Sequence, residues 1–114
     1  MTRGEIWWID FGIPTGSVAG YRRPGIIVQN NDFNESNINT VVVIPLTSNL
    51  ILADYSPNVL LSKKETSLSK DSVAVIPLVG AVDKSCLLEK VSTISNDLLN
   101  KISEGISEVL NLFE

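Results

Sequence analysis

A chain of 114 residues with a net charge of −4 is long enough for one domain with its own core, here taken as residues 1–114. The hydrophobic content of 44% includes no apolar run near the ~20 residues of a membrane span, histidine is absent, and Cys86 is alone. These counts exclude an internal disulfide, Ser-His-Asp and Cys-His catalysis, two-histidine ribonuclease chemistry and the commonest zinc ligand. Arg3 and Glu5 lead into a strand pattern rather than a signal-peptide core, so a soluble, cytoplasmic protein is expected.

The first predicted strand is Glu5 to Asp10, with Trp7 and Trp8 on opposite faces by the two-residue period. Phe11 to Arg22 carries Gly12, Pro14, Gly16, Ser17 and Gly20 and reads as a long loop. A second strand is predicted over Gly25 to Asn30, with Pro24 suited to the entry because it cannot donate to a ladder. The polar stretch Asn31 to Asn39 suits a short helical turn. Thr40 to Leu46 is so continuously β-branched that it predicts a central strand.

Further strands are predicted over Asn58 to Leu61 and Ser72 to Ile76, with a polar turn from Ser62 to Asp71 between them. Asp83 caps a predicted short helix running through Glu89, and a brief strand follows over Val91 to Ile94. Ser95 is a good N-cap, and Leu98, Leu99, Ile102, Ile106, Val109, Leu110 and Phe113 then recur at helical spacing. That face is expected to pack on the sheet. Short strands, turn signals and one terminal helix predict a mainly β protein, a small, strongly bent antiparallel β-barrel closed by a C-terminal α-helix. Cys86, beside Leu87 and Leu88, reads as a packed thiol.

The chemistry-bearing pattern is Tyr21-Arg22-Arg23 at the end of the first loop, immediately before a buried strand. A second strand ends in Thr47-Ser48-Asn49. Arginine holds phosphate through paired N–H donors, and a hydroxyl on a rigid strand beside it suits phosphate chemistry. Tyr21 is the aromatic placed to stack on a base, while Trp7 and Trp8 read as core or dimer interface. The acidic balance speaks against a broad nucleic-acid footprint. It is, however, concentrated at the end. Setting aside Lys101 and the four acids Asp97, Glu104, Glu108 and Glu114 leaves eight bases against nine acids through Ile94.

Arg3-Gly4-Glu5-Ile6-Trp7, Gly16-Ser17, Arg23-Pro24, Gln29-Asn30, Pro45-Leu46-Thr47-Ser48-Asn49 and Asp71-Ser72-Val73 stand in the order and spacing of the MazF/PemK toxins. The resemblance extends through Val82-Asp83-Lys84 and Leu88-Glu89-Lys90 to the final helix. It implies an SH3-like barrel of the CcdB/MazF type and a homodimer. It also implies a toxin that cleaves single-stranded RNA without a metal or other cofactor, and a cognate antitoxin whose flexible tail covers the RNA groove. Carried over by position, the resemblance makes Arg23 and Thr47 catalytic and Ser17, Tyr21, Arg22, Gln29, Ser48 and Asn49 RNA-binding.

The chain departs from many such relatives at Val18, where they carry glutamate. It departs again at Leu78, Gly80 and Ala81, where they carry glutamine, arginine and threonine. Leu78 and Gly80 remove a base contact and a phosphate contact, and the carboxylate missing at Val18 leaves the general base unnamed; Asp10 and Asp54 are the nearest carboxylates by sequence region. Two alternatives stay open: a CcdB-like gyrase inhibitor, although the ending Asn111-Leu112-Phe113-Glu114 lacks the Trp-Gly-Ile tip of those toxins, and a catalytically weakened antitoxin-binding barrel.

Overall fold

The computed structural model describes residues 1–14, 16 and 20–112. Its strands are β1 (Glu5–Asp10), β2 (Arg22–Ile27), β3 (Thr40–Thr47), β4 (Val59–Leu61), β5 (Ser72–Ala74), β6 (Gly80–Asp83) and β7 (Leu87–Thr93). Three helices join them: α1 (Asn31–Asn34), α2 (Lys63–Thr66) and α3 (Asn96–Leu110). All strand pairs are antiparallel, in the order β4-β5-β3-β2-β1-β7, and β6 pairs with the other end of β3. The sheet curls into a half-barrel, so the small antiparallel β fold with a terminal helix forms as the sequence predicts.

β3 organises the sheet because it pairs with three strands. Val43 to Pro45 face β2, Thr40 to Val43 face β6, and Leu46 and Thr47 face β5. Its β-branched run is apolar on both faces because both faces are covered. Ile44 and Leu46 join Ile6, Ile26, Ile76, Leu98 and Ile102 in the core beneath α3. Val41 and Val43 join Ile9 and Ile27 in a second cluster, lidded by Trp7, Phe11, Val82, Cys86 and Leu87. Cys86 is thus the packed, half-buried thiol expected.

The terminal helix starts as predicted, with the Ser95 hydroxyl accepting from Leu98 N at 3.3 Å. Leu98, Ile102 and Gly105 form its buried stripe, flanked by half-buried Leu99, Ile106 and Val109, whereas Leu110 is exposed and Phe113 lies outside the described residues. Gly105 lets the helix approach closely: a Cβ there would sit 3.3 Å from both Ile76 Cγ1 and Pro57 O. Arg3 fastens the helix to the sheet, donating from Nε to Val28 O at 3.1 Å and from Nη2 to Ser103 Oγ at 2.6 Å.

Several boundaries differ from the sequence expectation. β2 begins at Arg22 rather than Gly25 and ends at Ile27, so Pro24 sits inside the strand, opposite Trp8 of β1. β5 ends at Ala74, because a 3-10 turn over Ile76–Leu78 with Pro77 in its first turn redirects the chain toward α3. The polar stretch after Ser62 holds α2, fixed by a capping box between Ser62 and Glu65. Asp83 does cap a turn, but that turn is only Lys84–Cys86. The expected helix through Glu89 is replaced by β7, because Leu87 to Thr93 find backbone partners along β1. β6 was not anticipated; Gly-Ala-Val-Asp has no strand pattern of its own and is held by pairing with β3.

Candidate active site

The β2–β3 ladder runs from Ile27 opposite Val43 through Ile26 opposite Ile44 to Gly25 opposite Pro45. Continued by two residues, the same register sets Arg23 opposite Thr47. The ladder does not continue. Arg22, Arg23 and Pro24 stay with β1, pairing with Asp10, Ile9 and Trp8. Leu46 and Thr47 turn away to β5, pairing with Ala74 and Val73. Pro24 has no N–H to offer β3 where the strands part. The fork between the diverging strands is a groove of about 370 Å³.

The walls of this groove are Trp8, Arg22, Arg23 and Pro24 on one side and Leu46, Thr47 and Ser48 on the other. Leu68, Ser69, Lys70 and Ser72 complete it from the segment between α2 and β5. Side-chain alternation places Arg23 and Thr47 on one face of their strands and Arg22 on the other, with Trp8. Arg22 lays its guanidinium over the Trp8 indole, 5.6 Å from the ring centroid. Arg23 is half-buried and donates from Nε to Gly20 O at 3.1 Å, which fixes its reach. Thr47 Oγ1 accepts from Asn49 N at 3.2 Å, and the hydroxyl proton stays available to donate.

Two arginines and a lysine therefore line one cleft with four hydroxyl side chains, Thr47, Ser48, Ser69 and Ser72, and no carboxylate is in its described lining. Such a cleft can hold a phosphodiester. Guanidinium donors stabilise charge on its non-bridging oxygens, and a hydroxyl can orient a neighbouring group. Arg23 cannot act as a base near neutrality, since guanidinium stays protonated.

Of the residues predicted for this site, Arg22, Arg23, Thr47 and Ser48 line the groove together. Asn49 lies just past it, capping the 3-10 turn Leu50–Asp54 without a side-chain bond. Tyr21 is strongly exposed and adopts φ 57°, its backbone tied to Phe11 and Gly12; it is not part of the lining. Gln29 belongs to the scaffold instead. It is buried, with Nε2 donating to Asn34 Oδ1 at 2.9 Å and Oε1 accepting from Val42 N at 3.2 Å. Every polar atom of that amide faces inward, so Gln29 has nothing left to offer RNA. Ser17 and Val18 lie outside the described residues.

Neither named carboxylate reaches the cleft. Asp10 accepts from Gly12 N at 2.8 Å and Asp54 is exposed in the 3-10 turn. Leu78 and Gly80 are also outside the lining: Leu78 ends the turn under α3 and Gly80 opens β6 opposite Val43. Among the described residues no group of three or more His, Cys, Asp or Glu is placed to hold a metal ion. Trp8 and Lys70 were missed as site residues. Trp8 reads as core from its sequence, and only the pairing of β5 with the end of β3 carries Lys70 to the fork.

A family model described as PemK-like, MazF-like toxin of type II toxin-antitoxin system matches residues 2–110. The chain is 34% identical over 112 residues to the endoribonuclease MazF2 of Mycobacterium bovis, covering 98% of each. It is equally similar to the endoribonuclease MazF6 of Mycobacterium tuberculosis, again 34% over 112 residues and 98% of each. In structure it resembles MazF from Deinococcus radiodurans, with a TM-score of 0.81, 20% identity and coverage of 97% of this chain and 96% of that one. It also resembles an endoribonuclease from a mycobacterial species in complex with its cognate antitoxin, with a TM-score of 0.74, 21% identity and coverage of 100% and 96%.

Proposed function

Because this chain belongs to the PemK-like, MazF-like toxins of type II toxin-antitoxin systems, we propose that it is the toxin of such a pair, an endoribonuclease that cleaves single-stranded RNA at the β2–β3 fork. The observation that supports the site assignment is that Arg23 of β2 and Thr47 of β3 line one groove where their strands part, a guanidinium and a hydroxyl on its two sides. The substrate's own 2′-OH attacks the adjacent phosphorus. A 2′-O–P bond forms and the P–O5′ bond breaks, leaving a cyclic phosphate and a 5′-hydroxyl. Charge builds on the equatorial oxygens, and Arg23 stabilises it through its terminal N–H groups. Thr47 donates to a phosphate oxygen or holds the 2′-OH in line. Arg22 and Ser48 grip the flanking backbone.

The reaction needs no metal in this reading, since guanidinium supplies the positive charge. The toxin acts as a two-fold homodimer in the cytoplasm, its residues 1–114 forming one toxin domain. Its cognate antitoxin lays an acidic, disordered segment along the same cations; among the described residues no helix is long and apolar enough to cross a membrane. The test is incubation of the purified protein with a long unstructured RNA in EDTA. Discrete fragments ending in cyclic phosphate support the reading. Intact RNA, with or without inhibition of gyrase, would overturn it.

A further inference from the structure

Lys70 faces the fork from the wall opposite Arg22 and Trp8, on the segment that leads into β5. It is exposed, and among the described residues its ammonium has no ion pair or hydrogen bond. Lys63 and Lys64 on α2, by contrast, are not part of the groove. The Trp8 indole, which lines the same groove, is half-buried on its strand and carries the Arg22 guanidinium over its ring. Neighbouring Ser72 is buried and donates to Lys70 O at 3.5 Å, which ties the backbone carrying the lysine to the start of β5.

A cation on one wall and an aromatic face under a guanidinium on the other match the two parts of one nucleotide. We propose that Trp8, Arg22 and Lys70 form a nucleotide subsite beside the scissile phosphate: the base takes the place of Arg22 on the Trp8 face, Arg22 holds the flanking phosphate, and Lys70 holds the phosphate of that nucleotide. Stacking on an aromatic face does not depend on base identity. The subsite therefore adds grip and fixes register, and it does not read sequence. Lys70 is a positioning residue here, since Arg23 and Thr47 make the contacts to the reacting group. The subsite rests on the ribonuclease reading above.

The test first maps a cut in long RNA. It then uses an RNA of about nine nucleotides across that cut, with 2′-deoxyribose at the attacking position to block cleavage. With three cations at the groove, the wild-type slope of log K against log salt should be about −2, at about −0.7 per phosphate neutralised. Lys70→Ala should flatten the slope by about 0.7 and raise KM several-fold at unchanged kcat on the cleavable RNA. Lys70→Arg should restore both. Trp8→Leu should weaken binding by about tenfold without changing the slope. A Lys70→Ala protein with wild-type slope and KM would overturn the subsite while leaving the ribonuclease intact. A Lys70→Ala protein that loses kcat alone would overturn it equally, by making Lys70 part of the chemistry. Failure of the wild-type protein to cut any RNA would remove the underlying reading and the subsite with it.

Discussion

Arg23 and Thr47 line one groove from two strands that have just parted, each two residues past the last β2–β3 ladder pair, Gly25 opposite Pro45. Paired strands would hide both residues' backbones in a hydrogen-bonded ladder. Because β2 stays with β1 and β3 crosses to β5, the two residues instead face a cleft, each still held by a neighbouring strand. Walls held by strand pairing around an open centre are the arrangement that the proposed positioning of a phosphodiester calls for.

Arg23→Ala should lower RNA cleavage by about two to three orders of magnitude, the loss expected on removing one preorganised donor to the transition state. The fold should persist, because Arg23 contributes one described side-chain hydrogen bond, to Gly20 O. Arg23→Lys should rescue poorly, since an ammonium cannot present paired N–H donors while bonding Gly20. A folded Arg23→Ala protein with near-wild-type cleavage would take Arg23 out of the site.

Thr47→Ala should reduce cleavage in the same direction but less, and Thr47→Ser should retain most of it because the hydroxyl is kept. The lost bond from Asn49 N to Thr47 Oγ1 is at a partly exposed turn, so stability should change by about 1 kcal/mol or less. A large drop in Tm with unchanged kcat would show that the hydroxyl serves the turn alone.

Glu5 should make the fold sensitive to acid. Burial pushes its carboxyl pKa up, but hydrogen bonds from Trp7, Lys90 and Thr2, with the Lys90 charge, outweigh burial and hold it below its usual value of 4.5. Its Oε1 accepts from Thr2 N and Trp7 Nε1, each at 3.0 Å, and its Oε2 lies 3.0 Å from Lys90 Nζ. A carboxyl depressed by folding stabilises fully above its unfolded pKa, and that stability is lost as pH falls through the folded value. Tm should therefore hold above about pH 5 and fall below it. In Glu5→Gln the acid-dependent part of the fall should shrink while Tm at neutral pH drops. An unchanged difference in Tm between the two proteins from pH 7 to pH 3 would contradict this.

Gly25→Val should destabilise the protein by about 1–3 kcal/mol, the usual cost of overpacking. A Cβ at that position would lie 2.7 Å from Ile9 Cδ1 and 3.2 Å from Ile44 O, at the last rung before the fork. The same change should slow cleavage beyond the stability effect, because a strained rung moves Arg23 relative to Thr47. Thermal melts together with kcat on the folded fraction would separate the two consequences.

Local patterns explain why much of the fold could be read early. β1 is bounded as predicted because the apolar run Ile6 to Ile9 stands between charged Glu5 and Asp10, with turn formers following it. β3 announces itself through four successive β-branched apolar residues before its proline, and α3 through a Ser95 cap and an apolar stripe. β6 and β7 could not be read this way. Their edges are exposed for much of their length, so their partners, not their side chains, define them. Arg22 to Pro24 likewise becomes strand only because Trp8 to Asp10 lies alongside.

The sequence by itself determined the arginine pair after a loop, the threonine at a strand end, the absence of histidine, and enough ordered motifs to place the chain in its family. Those are properties of residue type and spacing, which need no coordinates. Tertiary structure alone decided that Gln29 is sealed into the scaffold while Trp8 and Lys70 stand in the groove. Burial of an amide and the meeting of residues 62 positions apart depend on which strands pair. Here that was settled by β3 leaving β2 for β5, a choice written in long-range backbone hydrogen bonds and not in any local run of side chains.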